Sequence, residues 1–272
     1  MRAQLAHSVM AAGLADPNLL AAWRRDPALL RQYGVEPGDL DLDALWRFAG
    51  LATKVRHNPL RRELPFAFRL MAVADLELEL FANYASFRAV RGAIGASLQA
   101  KLDGLVEFLR EWLDATQLEH LLLWDLVRHE AAQVELARLA MSASPSQATE
   151  SLFETHASCV PHIRGGLILR DFQSDPQHTM LLLRERQPEL TQALLGAHYL
   201  GYWWDSGARQ TRILELDAAG AHLLLLVDGR RSVRDLQRSV GGRGQQRRVL
   251  VALRDLAGAG LISLAAAESS PA

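Results

Sequence analysis

The sequence has little cysteine and no long apolar run. Its only thiol is Cys159, so no disulfide can form within the chain, and a reducing compartment is expected. No stretch approaches the roughly 20 apolar residues that a membrane-spanning helix needs. Polar Gln4, His7 and Ser8 interrupt the first residues, which argues against a signal peptide. These absences predict a cytoplasmic protein that does not enter a membrane.

Aromatic residues and net charge are also scarce. Aromatics make up 7% of a chain that is 49% hydrophobic, and the dominance of Leu and Ala favours helices. The net charge of -1 provides no overall field to attract nucleic acid or acidic membranes. The charge is uneven, however, because eight arginines and two aspartates between Asp228 and Arg254 give this segment a charge of +6. A length of 272 residues is typical of two domains.

Motifs for nucleophilic and phosphate chemistry are missing. The chain has no Gly-x-Ser-x-Gly and no Gly-x-x-x-x-Gly-Lys-Ser/Thr, and no strand precedes the glycines at 241–244 as a dinucleotide loop would require. The Glu-x-x-His pairs of di-iron helical bundles are absent from the sequence. We therefore expect the chain to perform no chemistry alone and to hold no cofactor of its own.

Two groups of polar residues have the spacing of weak candidate sites. His156, Cys159 and His162 could each ligate a metal, but zinc would need a fourth ligand, so we interpret them as polar residues of a loop. Asp75 and Glu79 lie four residues apart, as on one helical face, where a salt bridge is the simpler interpretation.

Histidines and a glutamate of the last N-terminal helix form a further candidate group. His120, His129 and Glu130 are interpreted as helix residues near a polar seam. No metal or catalytic site is predicted from any of these groups.

Residues 1–141 are predicted to form a helical domain. Asp16-Pro17 and Asp26-Pro27 each supply an N-cap followed by proline, and Gly34 can end the second of these helices. The other predicted helices run from Leu42 to before Asn58-Pro59, from Pro65 to Tyr84, from Gly92 to Leu113, and from a Thr116/Glu119 capping box to Met141. Because residues 142–151 are rich in serine, we predict a linker over 142–160 and a second domain over 161–272.

The second domain is predicted to contain three strands followed by three helices. Strands are expected at Leu167–Leu169, His198–Trp204 and Thr211–Leu216, with a helix starting at Asp175-Pro176 between the first two. This order of elements predicts a winged helix-turn-helix within an α+β protein.

The signals for the three helices are local. Asp217 can cap a helix that ends at Val227, and Asp228-Gly229 forms a turn. A Ser232/Asp235 capping box begins the second helix, which the glycines at 241, 242 and 244 end. The third helix spans Gln245–Ala259, and a terminal strand covers Leu261–Leu264.

This segment resembles the PqqD-like peptide-recognition domains of ribosomal-peptide modification pathways. The resemblance covers about the last hundred residues. Its residues are Leu216-Asp217, Leu223 to Val227, Asp228-Gly229-Arg230-Arg231-Ser232-Val233 and Leu261-Ile262. The long insert between the first two strands departs from the compact members of that family. The resemblance implies that the domain binds the leader of a precursor peptide.

The N-terminal half resembles the helical half of partner subunits that accompany multinuclear non-haem iron oxidases. Such subunits occur in methanobactin and 3-thiaglutamate biosynthesis, and the 3-thiaglutamate type is the more similar. The matching residues are Asn58 to Leu70 and Leu78 to Tyr84. The resemblance implies a heterodimer with a TIM-barrel-type oxidase that carries the iron and modifies a peptide cysteine. Residues 1–141 are expected to be the domain that docks on this partner.

The expected peptide site combines one strand with one helix. An extended leader can pair with an open strand edge, and arginines can select its acidic side chains. The predicted peptide-binding residues are Thr211, Arg212, Ile213, Leu214, Glu215, Arg247, Arg248, Leu250, Val251 and Arg254.

Two other interpretations of the arginine-rich segment remain open. A winged-helix DNA-binding regulator with a helical sensing domain would also carry a basic segment, although the net charge makes nucleic acid the less expected partner. The arginines could instead form a solvated face that pairs with acidic residues of the N-terminal half.

Overall fold

A computed structural model describes residues 2–90, 97–142, 158–205, 207–239 and 243–265. The chain combines helices with two small antiparallel sheets, which confirms the α+β class. It divides into two compact units, one of residues 1–131 with 177–192 and the other of residues 132–176 with 193–272. The division predicted from sequence was 1–141 and 161–272. The observed units differ from it because helix α8 passes through the boundary and residues 177–192 belong with the helices.

The first unit is helical, as expected. Its helices are α1 (Arg2–Ala15), α2 (Pro17–Arg25), α3 (Leu42–Arg56), α4 (Asn58–Glu63), α5 (Pro65–Val73), α6 (Glu77–Val90), α7 (Leu98–Trp112) and the first part of α8 (Leu118–Ser142). The Asp16 carboxylate accepts the N–H groups of Asn18 and Leu19 and so caps α2. Asp26 likewise begins a 3-10 helix over Pro27–Tyr33, which ends at Gly34 with a φ of 71°.

The predicted single helix from Pro65 to Tyr84 is wrong. The structure has two helices, because α5 ends in a turn in which Asp75 adopts a left-handed φ of 54°. The N–H of Leu76 donates to the carbonyl of Met71 at 2.8 Å, closing the helix end as in a Schellman motif. Asp75 therefore lies outside both helices, and it does not share a helical face with Glu79.

Two other predicted helix starts need correction. Ser97 caps α7 by accepting the N–H of Ala100, so the described helix begins at Leu98, and Gly92 lies outside the described residues. The Thr116 hydroxyl donates to the Asp114 carboxylate at 2.7 Å, and helix α8 begins two residues later, at Leu118. The Thr116 hydroxyl is therefore bound by the carboxylate of Asp114, two residues before it.

A buried glutamate holds the start of α5. Both oxygens of Glu130 accept backbone N–H groups, from Phe66 and from Ala67, each at 2.9 Å. These donors lie in the first turn of α5, whose own N-cap, Leu64, has no side-chain oxygen. Burial raises the pKa of Glu130 to about 7, although the two backbone hydrogen bonds act in the opposite direction. Glu130 is thus a structural residue of the helical unit.

Residues 177–192 pack on α5. This insert contains most of α9 (Pro176–Leu182) and a short 3-10 helix at Leu190–Gln192. The Arg69 guanidinium donates to the carbonyl of Leu183 and, at 2.7 Å, to that of Glu185. The Arg184 guanidinium lies 5.6 Å from the centre of the Phe66 ring. These contacts explain why the insert belongs to the helical unit.

The second unit contains five strands and three further helices among the described residues. The strands are β1 (Val160–Ile163), β2 (Ile168–Ser174), β3 (Leu195–Asp205), β4 (Gln210–Leu216) and β5 (Ile262–Ala265), and the helices are α10 (Ala218–Leu226), α11 (Val233–Ser239) and α12 (Arg243–Gly258). β2, β3 and β4 form one antiparallel sheet in that order, and β1 pairs with β5 in another. Three strands and then three helices were predicted, but β1 was not.

Local hydrogen bonds confirm the predicted helix starts in this unit. The Asp217 carboxylate accepts the N–H of Gly220 at 2.6 Å, and Ser232 and Asp235 each accept the backbone N–H of the other. Gly244 does not end α11 but lies in the first turn of α12, where its lack of a side chain is tolerated, while 241 and 242 lie outside the described residues.

Replacing Glu130 by glutamine should reduce the dependence of stability on pH. The pKa of Glu130 is raised in the folded protein, so its contribution is present at low pH and is lost as pH rises through about 7. A shift from 4.5 to about 7 corresponds to about 3 kcal/mol. We expect the melting temperature of the native chain to fall between pH 5.5 and 8.5 by several degrees more than that of Glu130→Gln.

The comparison between the two proteins isolates Glu130. His57, whose pKa burial lowers to about 4, is present in both and cancels from the difference. Identical pH profiles of melting temperature in the two proteins would contradict the assignment.

Candidate peptide-binding site

Strand β4 forms one edge of the three-stranded sheet. Its residues pair with those of β3, from Leu216 opposite Tyr199 to Gln210 opposite Asp205. In the part of the chain that the structure describes, no strand pairs with the other side of β4. An edge strand presents unpaired backbone donors and acceptors on that side. β4 therefore has the backbone geometry that an added peptide strand requires.

Both faces of this sheet are covered by apolar side chains. On one face, Trp203, Leu214 and Leu216 pack against a core that α10, α11 and α12 supply, with Leu224, Leu236 and Leu253 among its buried residues. On the other face, Leu200, Tyr202 and Ile213 pack with Ala132 and Leu136 from the last part of α8. An extended ligand can therefore join this sheet only at an edge.

The predicted strand residues alternate between the two faces, as the period of a strand requires. Leu214 contacts the core of the three helices, whereas Ile213 contacts the cluster formed with α8. Arg212 and Glu215 are exposed, and Thr211 is half-buried. These five positions supply a strand edge whose apolar side chains are already packed, so the backbone is what β4 offers to a peptide.

An ion pair and a histidine–carboxylate hydrogen bond hold the exposed side chains of β4. The Arg212 guanidinium lies 3.0 Å from the Asp205 carboxylate, and Nδ1 of His198 lies 2.9 Å from the Glu215 carboxylate. Hydrogen bonds from Ala208 and Arg212 lower the pKa of Asp205. The His198–Glu215 pair was not predicted, because it depends on the register of β3 against β4, which sequence pattern alone did not supply.

The other predicted peptide-binding residues lie on different sides of helix α12. Val249, Leu253 and Leu256 are buried, and Leu250 packs against the same core that Leu214 contacts. Leu250 is thus part of the packing between helix and sheet. Its side chain therefore has less apolar surface available to a peptide than was predicted. Val251, in contrast, is 49% exposed.

The arginines of α12 point to solvent. Arg247, Arg248 and Arg254 are all exposed, and within the described ranges none of them forms an ion pair. The ion pairs nearby are local, between Arg231 and Asp228 at 2.9 Å and between Arg238 and Asp235 at 3.9 Å. The α12 arginines therefore keep their charge available for an anionic ligand.

The turn between α10 and α11 is held in place by hydrogen bonds. The N–H groups of Arg230 and Arg231 donate to the Asp228 carboxylate, and they hold its pKa well below the ordinary range. Gly229 has a φ of 71°, and a Cβ there would lie 2.9 Å from Nδ1 of His162. Glycine is favoured at this turn, because other residues are strained at this φ and a Cβ would have to displace the His162 ring of β1.

The proposed metal ligands are not brought together among the described residues. His156 lies outside the described residues. Cys159 is buried in the apolar core beside Leu223 and Val233, whereas His162 lies against the Gly229 turn. In the ranges that the structure describes, no group of three or more His, Cys, Asp or Glu side chains could hold a metal ion.

The histidines of α8 have structural surroundings. Nδ1 of His120 accepts the N–H of Asp114 at 3.0 Å, and its ring lies 5.0 Å from that of Trp112. His129 is buried in the same helix.

Within the described parts of the chain, no helix is long and apolar enough to cross a membrane.

Comparison with known proteins does not assign the chain to a family. No family model matches the sequence, and none of the curated proteins compared with it does.

The purified full-length protein should contain no stoichiometric zinc or iron. Cys159 is buried in the apolar core and His162 lies against the Gly229 turn, and in the described ranges neither belongs to a group of three or more possible metal ligands. Elemental analysis of the native chain, with Cys159→Ser and His162→Ala as comparisons, tests this expectation. One metal ion per chain that is lost in either variant would show that a real site was overlooked.

Proposed function

We propose that this chain is the non-catalytic partner subunit of an iron-dependent peptide-modifying oxidase, and that it holds the leader of a ribosomally made precursor peptide. The observation that carries the proposal is an edge strand, β4, in a sheet whose two faces are both covered. The strand leads directly into three helices, and on the last of them Arg247, Arg248 and Arg254 form no ion pair with any other described residue.

The leader would bind mainly through its backbone. As an additional strand it pairs with the outer side of β4, and Arg247, Arg248 and Arg254 meet its acidic side chains. A hydrogen bond to a charged group contributes roughly 1.5 to 3 kcal/mol when well formed, and solvent screening reduces this at exposed arginines. Backbone pairing then provides affinity, and the arginines select leaders that carry carboxylates.

The iron and the chemistry would belong to the other subunit. A TIM-barrel-type multinuclear oxidase would form a heterodimer with this chain and oxidise a cysteine of the precursor, in a pathway of the 3-thiaglutamate type. Holding the leader makes the encounter between the cysteine and the oxidase effectively intramolecular, which raises the local substrate concentration. The chain would therefore contribute to catalysis without a catalytic residue of its own.

The second candidate function is that of a winged-helix DNA-binding regulator. The observation in its favour is the same set of exposed arginines on α11 and α12, since phosphates attract arginine whatever the base sequence. DNA binding would decrease steeply with salt and would involve arginines of both helices. Peptide binding would require only the arginines of α12.

Reversing the charge of Arg247 and Arg248 should separate these two functions. We expect Arg247→Glu with Arg248→Glu to weaken leader binding at least tenfold, because each loses an attraction and gains a repulsion. The matched control is Arg230→Glu with Arg234→Glu, an equal change of charge at exposed positions of the α10–α11 turn and α11. If the chain binds a leader peptide, the control variant should retain its affinity for the leader.

The measurement is fluorescence anisotropy with a labelled synthetic leader. Its sequence is taken from the peptide that co-purifies with the full-length chain from its native cell. Equal affinity in all three proteins would place the peptide elsewhere. Equal loss of affinity for duplex DNA in both variants, at about 0.15 M salt, would favour the regulator.

Proline substitutions in β4 test the backbone pairing itself. Successive N–H groups of an antiparallel strand point alternately toward and away from the neighbouring strand, so those of Arg212 and Glu215 point in opposite directions. Arg212→Pro and Glu215→Pro therefore remove one donor to β3 and one donor at the open edge. The variant with the higher melting temperature is the one that lost the edge donor, and its leader affinity should fall severalfold. Alanine at the same positions controls for the side chains, and unchanged affinity in both proline variants would contradict strand addition.

A further inference from the structure

Helix α3 carries apolar side chains on two sides. Leu45 and Ala49 are buried on its inner side. Phe48, Leu51 and Val55 on another side are 58%, 59% and 69% exposed. Ala52 is also exposed, and these four residues, at positions i, i+3, i+4 and i+7, form the α3 stripe, which is about 10 Å long.

The α3 stripe differs from the scattered apolar residues of an ordinary surface. Single exposed leucines need no explanation, and Leu225 of α10, at 71% exposure, is such a case. A contiguous row of large side chains on one helix marks an interaction site instead. The inner side of α3 already packs into the core. Folding therefore does not require apolar residues at the exposed positions of the stripe.

Cations border the α3 stripe on both sides. At 100° per residue, Arg47 and Lys54 lie along one border and Arg56 along the other, and all three are exposed. In the described part of the chain none of them forms an ion pair, whereas the carboxylate of Asp43 is already paired with Arg24 at 3.0 Å. The complementary surface is an apolar groove that carboxylates border.

A second copy of the chain does not complement this surface. Antiparallel pairing of two α3 helices would place Phe48 opposite Val55 of the second copy. The border that carries Arg47 and Lys54 would then face the same border of that copy, and the like charges would oppose self-association. The observed charges therefore favour a different protein with acidic residues.

A lipid surface fits the α3 stripe less well than a protein. Helices that lie in a membrane interface bind in proportion to the apolar area that they insert, and many extend over 20 to 30 residues. The α3 stripe offers four side chains over two turns, because the inner side of the helix is buried. Its size is instead that of a helix face that fits a protein groove.

We propose that the α3 stripe is the surface on which the iron oxidase docks, through an apolar groove bordered by carboxylates. The identity of the partner rests on the function proposed above, whereas the surface rests on Phe48, Leu51, Ala52 and Val55. Docking at α3 requires none of the residues of β4 or α12. Leader binding and oxidase binding can consequently be lost independently.

Photo-crosslinking in the native cell tests the surface. Benzoylphenylalanine replaces Phe48 in the full-length protein, and in a matched control it replaces Leu225. We expect a crosslink from position 48 to a single iron-containing protein, through a peptide rich in Asp and Glu, and no such product from position 225. A crosslink from position 48 only to a second copy, or no crosslink beyond the control, would overturn the proposed docking surface.

Binding to the purified oxidase provides the quantitative test. Leu51→Glu should weaken its binding at least tenfold and leave leader affinity unchanged, and Leu225→Glu should alter neither. Full oxidase binding by Leu51→Glu would overturn the docking surface while the proposed function stands. A crosslinked partner without iron would contradict the proposed function. Binding of the native chain, but not of Leu51→Glu, to phosphatidylglycerol vesicles would overturn docking to a protein in favour of a lipid surface.

Discussion

The coverage of both faces of the three-stranded sheet is the constraint on which the second unit depends. Leu214 and Leu216 pack against the core of three helices, while Ile213 and Tyr202 pack with the last part of α8. Removing this apolar surface from water stabilises the unit and at the same time closes both faces to a ligand. What remains for recognition is a backbone edge, and at β4 that edge belongs to the same packed unit as the arginine-bearing α12. The proposed role of the chain in holding a peptide follows from this arrangement.

The parts of the fold that could be predicted from sequence are those determined by near neighbours. Asp16, Asp217 and the Ser232/Asp235 pair each satisfy free N–H groups within three residues, so the side chain that starts the helix is visible in the sequence. The strand at Thr211–Leu216 was likewise predicted, because its apolar and β-branched residues precede a strong helix cap.

The parts that could not be predicted depend on distant residues. β1 is four residues long and contains a proline, and it is a strand only because Val160 pairs with Ala265. The two helices in place of one between Pro65 and Tyr84 result from a left-handed Asp75, a conformation that apolar periodicity does not reveal. Within the candidate site, pattern alone grouped Leu250 with Arg247, whereas packing assigns the first to the core and leaves the second in solvent.

We propose that a leader peptide pairs with the open edge of β4. Amide hydrogen exchange of the full-length protein, with and without the leader that co-purifies with it, is the test of choice because it reports backbone pairing residue by residue. We expect slower exchange at alternate amides of Gln210–Leu216 when the leader is bound, with little change at Ile168–Ser174. Protection confined to β2, or to helices α11 and α12 without β4, would contradict it.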